Sequence, residues 1–579
     1  MNQFFVLGIG GTGMRCIESL LHLCAMGMFD DTELHLLALD TDKNNGNFAR
    51  LKEVKEAYCR AKGSDAAART PLKDTFFSAN VKYYEFSPNY DAKSTFQEVF
   101  DYGGTQYNHR EEADLADLVL TKQVEEFNLR HGYRAQTHLG SMMMYHAILE
   151  AAESPMDNEL KSFLAQLTKA AQNGTPKVFI LGSVFGGTGA SSIPIIPQAI
   201  SRAAERMNGG AVNVLRNAYF GSTLLTAYFN FKTPTGDELN AQKVIATSDK
   251  FALNSQVAMM FYDDDATVRS TYQRFYMLGT DSIDWEPMAK RGEEICKTIT
   301  GGAEQKNDSH YIELLAACAA LDFYNAKPEQ LEENKKHAAT DYLYRAVGES
   351  GRFEFEDFVG QQRAEEFARK FGTLLAFALF CNGEDDFVES VRCGGQKEIT
   401  EFTGMEVSQV DYLKKYFALL FFERSEGQLA EGWVRQLHRS AGGGDKFLFN
   451  ASLFGFNTFK DLMKVNWNKE LYRTDGVGKD KIIRKAAFSA VRSSIPSRKC
   501  SSPSAKAPKD GRPSPTAVRN STNSSTIPSA NFISSPNLPR NYVYKSIAHQ
   551  ELHQFVDRYG GRMERTQHGA LLHSGHQNR

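Results

Sequence analysis

Short apolar runs recur along the first half of the chain, each bounded by glycine or polar residues. They span 4–7, 34–39, 177–181, 222–229 and 274–278. A continuous apolar run of this length predicts a strand that is buried on both faces. The pattern is typical of a sheet at the centre of an α/β domain.

Helices are predicted from the spacing of apolar positions after these runs. Met14, Ile17 and Leu21 fall on one face of a helix that follows the first run. The segment 311–324 is different, because it is apolar nearly all round. Such a segment predicts a helix buried at the centre of the domain.

Two long regions lack these clear signals. Residues 51–131 are polar and mixed with little period, and we expect helices and loops inserted between core elements there. Residues 326–490 are rich in aromatic side chains and mostly helical in pattern, which predicts a second, mixed and mainly helical domain. The predicted organisation is therefore a first domain over 1–325, a second over 326–490 and a tail.

The composition changes at about residue 491. Between 491 and 540 lie eight of the 17 prolines and 13 serines, with Asp510 as the only acidic residue. Such a segment buries too little apolar surface to offset chain entropy, so we expect 491–579 to be a disordered tail. The eight lysines and arginines of 491–540 would suit a basic tail that binds an acidic partner. The alternatives are a tail without function and a shifted reading frame at the end of the gene.

Composition and charge argue against several classes of protein. The net charge of −3 over 579 residues gives no sign of a nucleic-acid or anionic-membrane partner. The eight cysteines form no C-x-x-C pair, which argues against a zinc ribbon and a disulfide framework. The sequence has no charged leader and no apolar run long enough to span a membrane, so we expect a cytoplasmic protein.

Two glycine-rich turns each follow a predicted strand directly. The first turn, 8–13, reads Gly-Ile-Gly-Gly-Thr-Gly, and the second turn, 182–191, contains Phe-Gly-Gly-Thr-Gly-Ala-Ser. Glycine lets backbone N–H groups approach a phosphate closely, and the N-terminus of the following helix favours its negative charge. Together the two turns predict a nucleotide that is held from two sides.

The first turn also fits the dinucleotide fingerprint. Gly8-x-Gly10-x-x-Gly13 has its spacing, and Asp40 ends the second predicted strand. This leaves open a Rossmann-type NAD(P)-dependent oxidoreductase, although that class does not account for the second turn or for the loop at 132–140. The sequence contains no P-loop G-x-x-x-x-G-K-[ST], no H-E-x-x-H metal motif and no Gly-x-Ser-x-Gly elbow.

Four segments resemble the nucleotide-binding motifs of FtsZ, a GTPase of the tubulin/FtsZ superfamily. The first turn resembles its first phosphate loop, and 38–42 (Ala-Leu-Asp-Thr-Asp) resembles the end of its second strand. Gly132-x-x-Ala135 with Gly140 is similar to its third loop, and 185–191 is similar to the signature G-G-G-T-G-[ST]-G. All four occur in the family order, and the chain looks most like the divergent prokaryotic tubulin-like group.

The resemblance implies a fold and a ligand for residues 1–325. It implies a mostly parallel sheet with helices on both faces, a GTP or GDP site at the carboxyl edge of the sheet, and Mg²⁺ near Asp42. Arg134 would lie in the loop that senses the γ-phosphate. Asp237 and Glu238 would hold the ribose, or would only begin a helix. The nucleotide-binding residues so implied are Gly10, Gly11, Thr12, Gly13, Arg15, Asp40, Asp42, Arg134, Ala135, Phe185, Gly186, Gly187, Thr188, Gly189, Ala190, Ser191, Asp237 and Glu238.

The chain departs from the FtsZ pattern within these motifs. Phe185 and Ser191 replace the first and last glycines of the signature, and Phe185 narrows that turn. Arg15 stands where FtsZ has an asparagine that contacts the base or ribose, and its guanidinium could instead stack on a purine.

The catalytic loop of the family has no clean copy in this chain. In FtsZ the pattern N-x-D-x-x-D follows the central helix and reaches the nucleotide of the next subunit. The nearest acidic or amide groups here are Asn307, Asp308, Glu313 and Asp322, and the catalytic candidates are Asn307, Asp308 and Glu313. Asn307 and Asp308 also suit a helix cap, which is the more common use of such a pair, Asn307 suits a contact with guanine, and Glu313 and Asp322 suit ordinary polar positions.

These observations predict a GTP-binding protein that hydrolyses GTP slowly. By resemblance, it would assemble head to tail with itself into a homo-oligomer or filament of cytoskeletal type. A non-hydrolysing nucleotide-binding scaffold and the Rossmann-type oxidoreductase stay open. The expected partners are GTP or GDP, Mg²⁺, further copies of the chain and a protein adaptor.

Overall fold

Strands and helices alternate along the part of the chain that the computed structural model describes. That part is residues 2–29, 32–62, 76–91, 93–100, 117–210, 212–230, 247–279, 286–287, 302, 309–346, 366–367, 370–371, 374, 378, 407–420 and 433. The strands are β1 (Asn2–Ile9), β2 (Thr32–Leu39), β3 (Asn80–Phe86), β4 (Lys177–Leu181), β5 (Tyr219–Leu225), β6 (Phe229–Asn230), β7 (Arg274–Gly279), β8 (Glu286–Pro287) and β9 (Asp341–Ala346). The helices are α1 (Gly10–Ala25), α2 (Gly46–Lys62), α3 (Phe96–Phe100), α4 (Lys122–Glu126), α5 (Thr137–Glu153), α6 (Glu159–Asn173), α7 (Thr188–Ser192), α8 (Ile196–Met207), α9 (Val214–Asn217), α10 (Phe251–Asp264), α11 (Ala266–Thr271), α12 (Tyr311–Asn325), α13 (Pro328–Lys336) and α14 (Val407–Leu420).

One parallel sheet organises these elements. Its strand order is β3-β2-β1-β4-β5-β7-β9, and every neighbouring pair is parallel. The register sets Val6 of β1 beside Leu36 of β2 and Phe179 of β4. The strand order reverses between β1 and β4, and ligands of open α/β sheets bind in the crevice outside the carboxyl ends at such a switch point.

Helices cover both faces of the sheet. Phe4 and Val6 belong to a buried cluster that includes residues of α1, α2 and α12, whereas Phe5 and Leu7 belong to a second cluster with α5, α6 and α8. Successive residues of a strand point to opposite faces, so strands buried on both sides must be apolar throughout. The predicted mostly parallel sheet between two layers of helices is confirmed.

The central helix, α12, is buried along most of its length and packs on α1, β4, β5 and β7. Its carboxyl end is held by Lys177, whose Nζ donates to the carbonyls of Tyr324 and Ala326 at 2.7 and 2.6 Å. The Tyr276 hydroxyl donates to Asp322 at 2.8 Å. The two bonds from Lys177 satisfy carbonyls that have no partner within the helix at its carboxyl end, and all three bonds fasten the helix to the sheet.

Region 51–131 contains core elements that its pattern did not indicate. β3 lies within it and pairs with β2 at the edge of the sheet. Most β3 side chains are only partly buried, because among the described strands β3 has a neighbour on one side only, so the sequence shows no apolar run there. The prediction of inserted helices and loops is therefore wrong for 80–86.

The sheet also continues past residue 325. β9 pairs with β7, so the boundary predicted at 325 falls inside the sheet domain. Within 326–490, α14 packs on α2, and Trp433 belongs to the same buried cluster as α1. The rest of the predicted second domain and the tail 491–579 lie outside the described residues. Among the helices that are described, none is both long and apolar enough to cross a bilayer.

Candidate nucleotide-binding site

Four loops meet at the carboxyl edge of the sheet, beside the switch point. They are the first turn (8–13), the end of β2 (40–42), the loop 132–135 and the second turn (182–191), and together they form what we call the cradle. The first and second turns are in contact, since a Cβ added to Gly10 would lie 3.4 Å from Thr188 Cβ. A Cβ added to Gly132 would lie 3.7 Å from the Thr41 hydroxyl and 4.0 Å from the Thr188 hydroxyl. Segments that are distant in sequence therefore converge on one crevice.

The second turn and the loop 132–135 touch through their backbones. A Cβ added to Gly187 would lie 2.8 Å from the Ala135 nitrogen and 3.1 Å from the Arg134 nitrogen. Arg134 and Ala135 have φ angles of 47° and 61°, a left-handed conformation that is strained for residues with a side chain. Such strain persists where the surrounding structure holds it, and it is frequent at ligand-binding loops.

Two long helices begin at the cradle without a side-chain cap from the described residues. They are α1, which begins at Gly10, and α5, which begins at Thr137, and neither has an acidic residue in its first turn. Elsewhere, by contrast, Asn158 caps α6 and Asp265 caps α11. Open N–H groups and the positive end of the helix dipole favour a bound anion. The cradle therefore has the electrostatics of a phosphate site.

Two carboxylates lie at the end of β2, and Asp40 and Asp42 are each 4% exposed. Asp42 accepts hydrogen bonds from the amides of Asn44 at 3.0 Å and Gly302 at 2.5 Å. Asp40 Oδ2 has no hydrogen-bond partner among the described residues. Burial, reinforced by the charge of Asp42, raises the pKa of Asp40 to about 7. A buried carboxylate oxygen without a partner is rare in native proteins. A bound ligand could supply the missing partner of this oxygen.

The described residues contain no group of three or more His, Cys, Asp or Glu side chains that could hold a metal ion by themselves. Mg²⁺ needs fewer protein ligands, because it keeps several waters and binds one or two carboxylates together with phosphate oxygens. Asp40 and Asp42 are two such carboxylates. They could therefore bind Mg²⁺ that is also held by the phosphate oxygens of a ligand.

Arg15 directs its guanidinium into the protein. Its side chain is 3% exposed, and Nε donates to Glu313 Oε1 at 2.5 Å. Its Nη2 donates to the hydroxyls of Tyr228 at 3.1 Å and Thr12 at 3.4 Å. Burial alone would lower the pKa of Arg15, but Glu313 and Tyr228 raise it above its usual value. Stacking of Arg15 on a purine does not fit this position.

The side chains of Phe185 and Ser191 also point inward. Phe185 is 3% exposed, and its ring centroid lies 4.9 Å from that of Phe251. Ser191 is fully buried and donates to the Thr188 carbonyl at 3.0 Å. The partly exposed portion of the second turn is 186–188, so a ligand would meet mainly backbone and the Thr188 side chain.

Glu313 is enclosed at the start of the central helix. It is 0% exposed, its Oε1 accepts from Arg15 and from the Tyr228 hydroxyl, and its Oε2 accepts from the His310 amide at 2.7 Å. With His310 it forms a capping box. Burial raises the pKa of Glu313 against the opposing charge of Arg15. A carboxylate enclosed in this way cannot reach a nucleotide on another subunit, so that role does not fit Glu313.

The remaining predicted site residues, Asp237, Glu238, Asn307 and Asp308, lie outside the described residues. Their roles stay predictions.

The side-chain amides of Asn45 and Asn47 and the hydroxyl of Tyr228 lie near the cradle, but the sequence did not predict them as site residues. A Cβ added to Gly11 would lie 3.0 Å from Asn47 Nδ2 and 3.8 Å from Asn45 Nδ2. The run of small polar residues after β2 was the available signal for these amides. Tyr228, which joins Arg15 to Glu313, ends an apolar run and carried no signal of its own.

Comparison with known proteins gives a distant likeness among solved structures. No protein-family model matches the chain, and no protein of curated function matches it. Among solved structures, the chain is similar to CetZ2 from Haloferax volcanii in a GTPγS-bound protofilament, with 12% sequence identity and a TM-score of 0.25. The match spans 57% of this chain and 62% of that chain. A TM-score of this size establishes neither a shared family nor a shared ligand.

Proposed function

We propose that this chain is a divergent member of the tubulin/FtsZ superfamily that binds GTP with Mg²⁺ in the cradle. The observation that carries the proposal is the contact among the loops: Gly10 faces Thr188, and Gly187 faces Ala135. These loops have the sequences that resemble the FtsZ motifs. Their meeting at the switch point of a parallel sheet supports a single ligand gripped from several sides.

Each loop would have a distinct part in holding the ligand. Backbone N–H groups of the first and second turns would bind the α- and β-phosphates, joined by the Thr188 hydroxyl. Arg134 would bind the γ-phosphate, because a guanidinium matches phosphate oxygens in geometry and charge. Asp40 and Asp42 would hold hydrated Mg²⁺. When bound, GTP supplies the phosphoanhydride bond, and its Mg²⁺ neutralises charge on the phosphates.

We extend the proposal to slow hydrolysis that depends on head-to-tail association. Phosphoryl transfer requires a group that orients the attacking water, and Glu313 is enclosed and engaged by Arg15. The orienting group would therefore come from 307–308 or from a second copy of the chain. A head-to-tail contact of that kind generates open filaments, and sedimentation with GTP and with GDP tests for them.

An NAD(P)-dependent oxidoreductase would share the strand order and the glycine fingerprint. The loop 132–135 weighs against it, because Gly132 lies beside both Thr41 and Thr188. The loop would therefore occupy space along which the second half of a dinucleotide would have to extend. This arrangement favours a compact mononucleotide.

The deciding experiment is the identity of the bound nucleotide. The full-length protein is purified with Mg²⁺ and denatured, and the released nucleotide is identified by ion-exchange chromatography. We expect GDP or GTP, with a much smaller amount from Thr188→Ala and an unchanged amount from Thr168→Ala, a buried threonine of α6 outside the cradle. Recovery of NAD(P), or equal recovery from both variants, would refute the proposal. GTP that persists on long incubation would favour the non-hydrolysing scaffold.

A further inference from the structure

Arg15, Tyr228 and Glu313 form a closed set of hydrogen bonds inside the protein, which we call the Arg15 cluster. Arg15 Nη2 donates to the Tyr228 hydroxyl at 3.1 Å, and this hydroxyl donates to Glu313 Oε1 at 2.5 Å. Arg15 Nε donates to the same carboxylate oxygen at 2.5 Å. The three side chains are 3%, 1% and 0% exposed. They come from α1, from the segment between β5 and β6, and from the first turn of the central helix.

The Arg15 cluster touches both glycine turns of the cradle. It reaches the first turn through Arg15, whose Nη2 donates to the Thr12 hydroxyl at 3.4 Å. It reaches the second turn through the ring of Tyr228, which lies 6.0 Å from the ring of Phe185 at an interplanar angle of 88°. Tyr228 therefore links the second turn to the first through Arg15.

The composition of the cluster indicates a role in geometry rather than in stability. Burying an arginine and a glutamate costs desolvation that can exceed their mutual attraction, and apolar residues in their place often leave a protein as stable. A fully bonded polar network does fix side-chain directions more sharply than apolar packing does. The network here fixes the Tyr228 hydroxyl from two sides.

The two positions with bulky departures from the FtsZ pattern, Arg15 and Phe185, are joined by this tyrosine. We infer that Tyr228 is a positioning residue of the cradle: it sets the second turn against the first, and the Arg15–Glu313 pair holds it there. The inference rests on the proposed nucleotide site. It predicts that removing the tyrosine hydroxyl weakens nucleotide binding without a matching loss of stability.

The test compares Tyr228→Phe with Tyr58→Phe in the full-length protein. Tyr228→Phe keeps the ring beside Phe185 and removes the hydroxyl. Tyr58→Phe is the matched control, because the fully buried Tyr58 donates to the Ala79 carbonyl at 2.8 Å in the same core, outside the cradle. The dissociation constant of a fluorescent GDP analogue and the unfolding temperature without nucleotide are measured for each. We expect similar unfolding temperatures and about tenfold weaker binding for Tyr228→Phe alone, the loss typical of one hydrogen bond to a charged group.

A second variant tests the same inference in case Tyr228→Phe fails to fold. Arg15→Met combined with Glu313→Met removes both charges at once, a change that buried ion pairs often tolerate. We expect this double variant to unfold at a slightly lower temperature, because it also loses the carboxylate that caps the His310 amide, and to bind the GDP analogue about tenfold more weakly, because Tyr228 is no longer held.

Three outcomes would overturn the inference, and they are distinguishable. Unaltered affinity in both variants would remove the positioning role and leave the proposed function intact. Affinity that falls only in proportion to the unfolding temperature, in Tyr58→Phe as in Tyr228→Phe, would assign the cluster to stability alone. Failure of the unaltered protein to bind guanine nucleotide would remove the proposed function and the inference with it.

Discussion

One added methyl group tests whether the loops of the cradle share a ligand. Gly187→Ala places a Cβ 2.8 Å from the Ala135 nitrogen, whereas ordinary contact begins at 3.4 Å, so the facing loop must move by about 0.6 Å (3.4 − 2.8). The obstructing atoms belong to the backbone of Arg134 and Ala135, which is held in a left-handed conformation. They cannot yield by a change of rotamer, so the second turn and the loop 132–135 must separate.

The expected cost falls on binding more than on stability. Overpacking typically costs about 1–3 kcal/mol of unfolding free energy, and because Gly187, Arg134 and Ala135 are only partly buried, we expect a loss near the lower value. A shift of 0.6 Å would stretch the hydrogen bonds that the loops make to phosphate. Loss of one charge-assisted hydrogen bond costs about 1.5–3 kcal/mol, which is a tenfold to hundredfold loss of affinity.

Titration of a fluorescent guanine nucleotide measures this loss against two other alanine variants. Gly186→Ala should lose less affinity, because among the described residues its Cβ meets only Ser183 Oγ, at 3.8 Å. Gly174→Ala should bind like the unaltered protein, because no atom of the described part of the chain lies within 4 Å of its Cβ and its φ of 171° is extended backbone. If folded Gly187→Ala binds as tightly as Gly174→Ala, the loops do not grip one ligand.

Three further predictions concern stability, all measured by urea denaturation. Burial lowers the pKa of His22 and His310 to about 3, so the unfolded chain takes up these protons first as pH falls. In an Asp40→Asn background, the free energy of unfolding should drop below pH 6.5, by about 2 kcal/mol per histidine at pH 5, and a flat profile from pH 7 to 5 would contradict this. In the unaltered protein, Asp40 with its raised pKa of about 7 takes up a proton in the folded state over the same range and offsets part of this loss. Asp322→Ala, which strips a carboxylate from a mostly buried arginine, should cost about 2–4 kcal/mol, whereas Glu153→Ala, in an exposed pair, should cost nothing measurable; equal losses would refute the difference. Trp433→Ala should cost about 3–5 kcal/mol in one cooperative transition, because Trp433 is fully buried in the sheet domain's core, and a loss under about 1 kcal/mol would show that it is not part of that core.

The features that the sequence predicted well are those with local causes. The run 177–181 is β4 with the same bounds, and the apolar segment 311–324 is the buried central helix at Tyr311–Asn325. A strand or helix that is buried on every side must be apolar throughout, so its own residues reveal it. The strands β3 and β9 were not predicted because, among the described residues, one edge of each has no neighbouring strand, which allows polar residues such as Lys82 and Asp341.

The sequence by itself also determined the positions of the glycine turns, because glycine directly behind an apolar run has few other uses. Only the tertiary structure decided which turns meet and where each side chain points. Arg15 could be placed in the sequence as a ligand for a base, but Glu313, 298 positions away, turns its guanidinium inward. The strand order brings α1, the end of β5 and the start of the central helix to one edge of the sheet. The direction of a charged side chain depends on which oppositely charged group lies nearby in the folded protein. The residues next to Arg15 in the sequence give no sign of Glu313, because only the fold brings the two together.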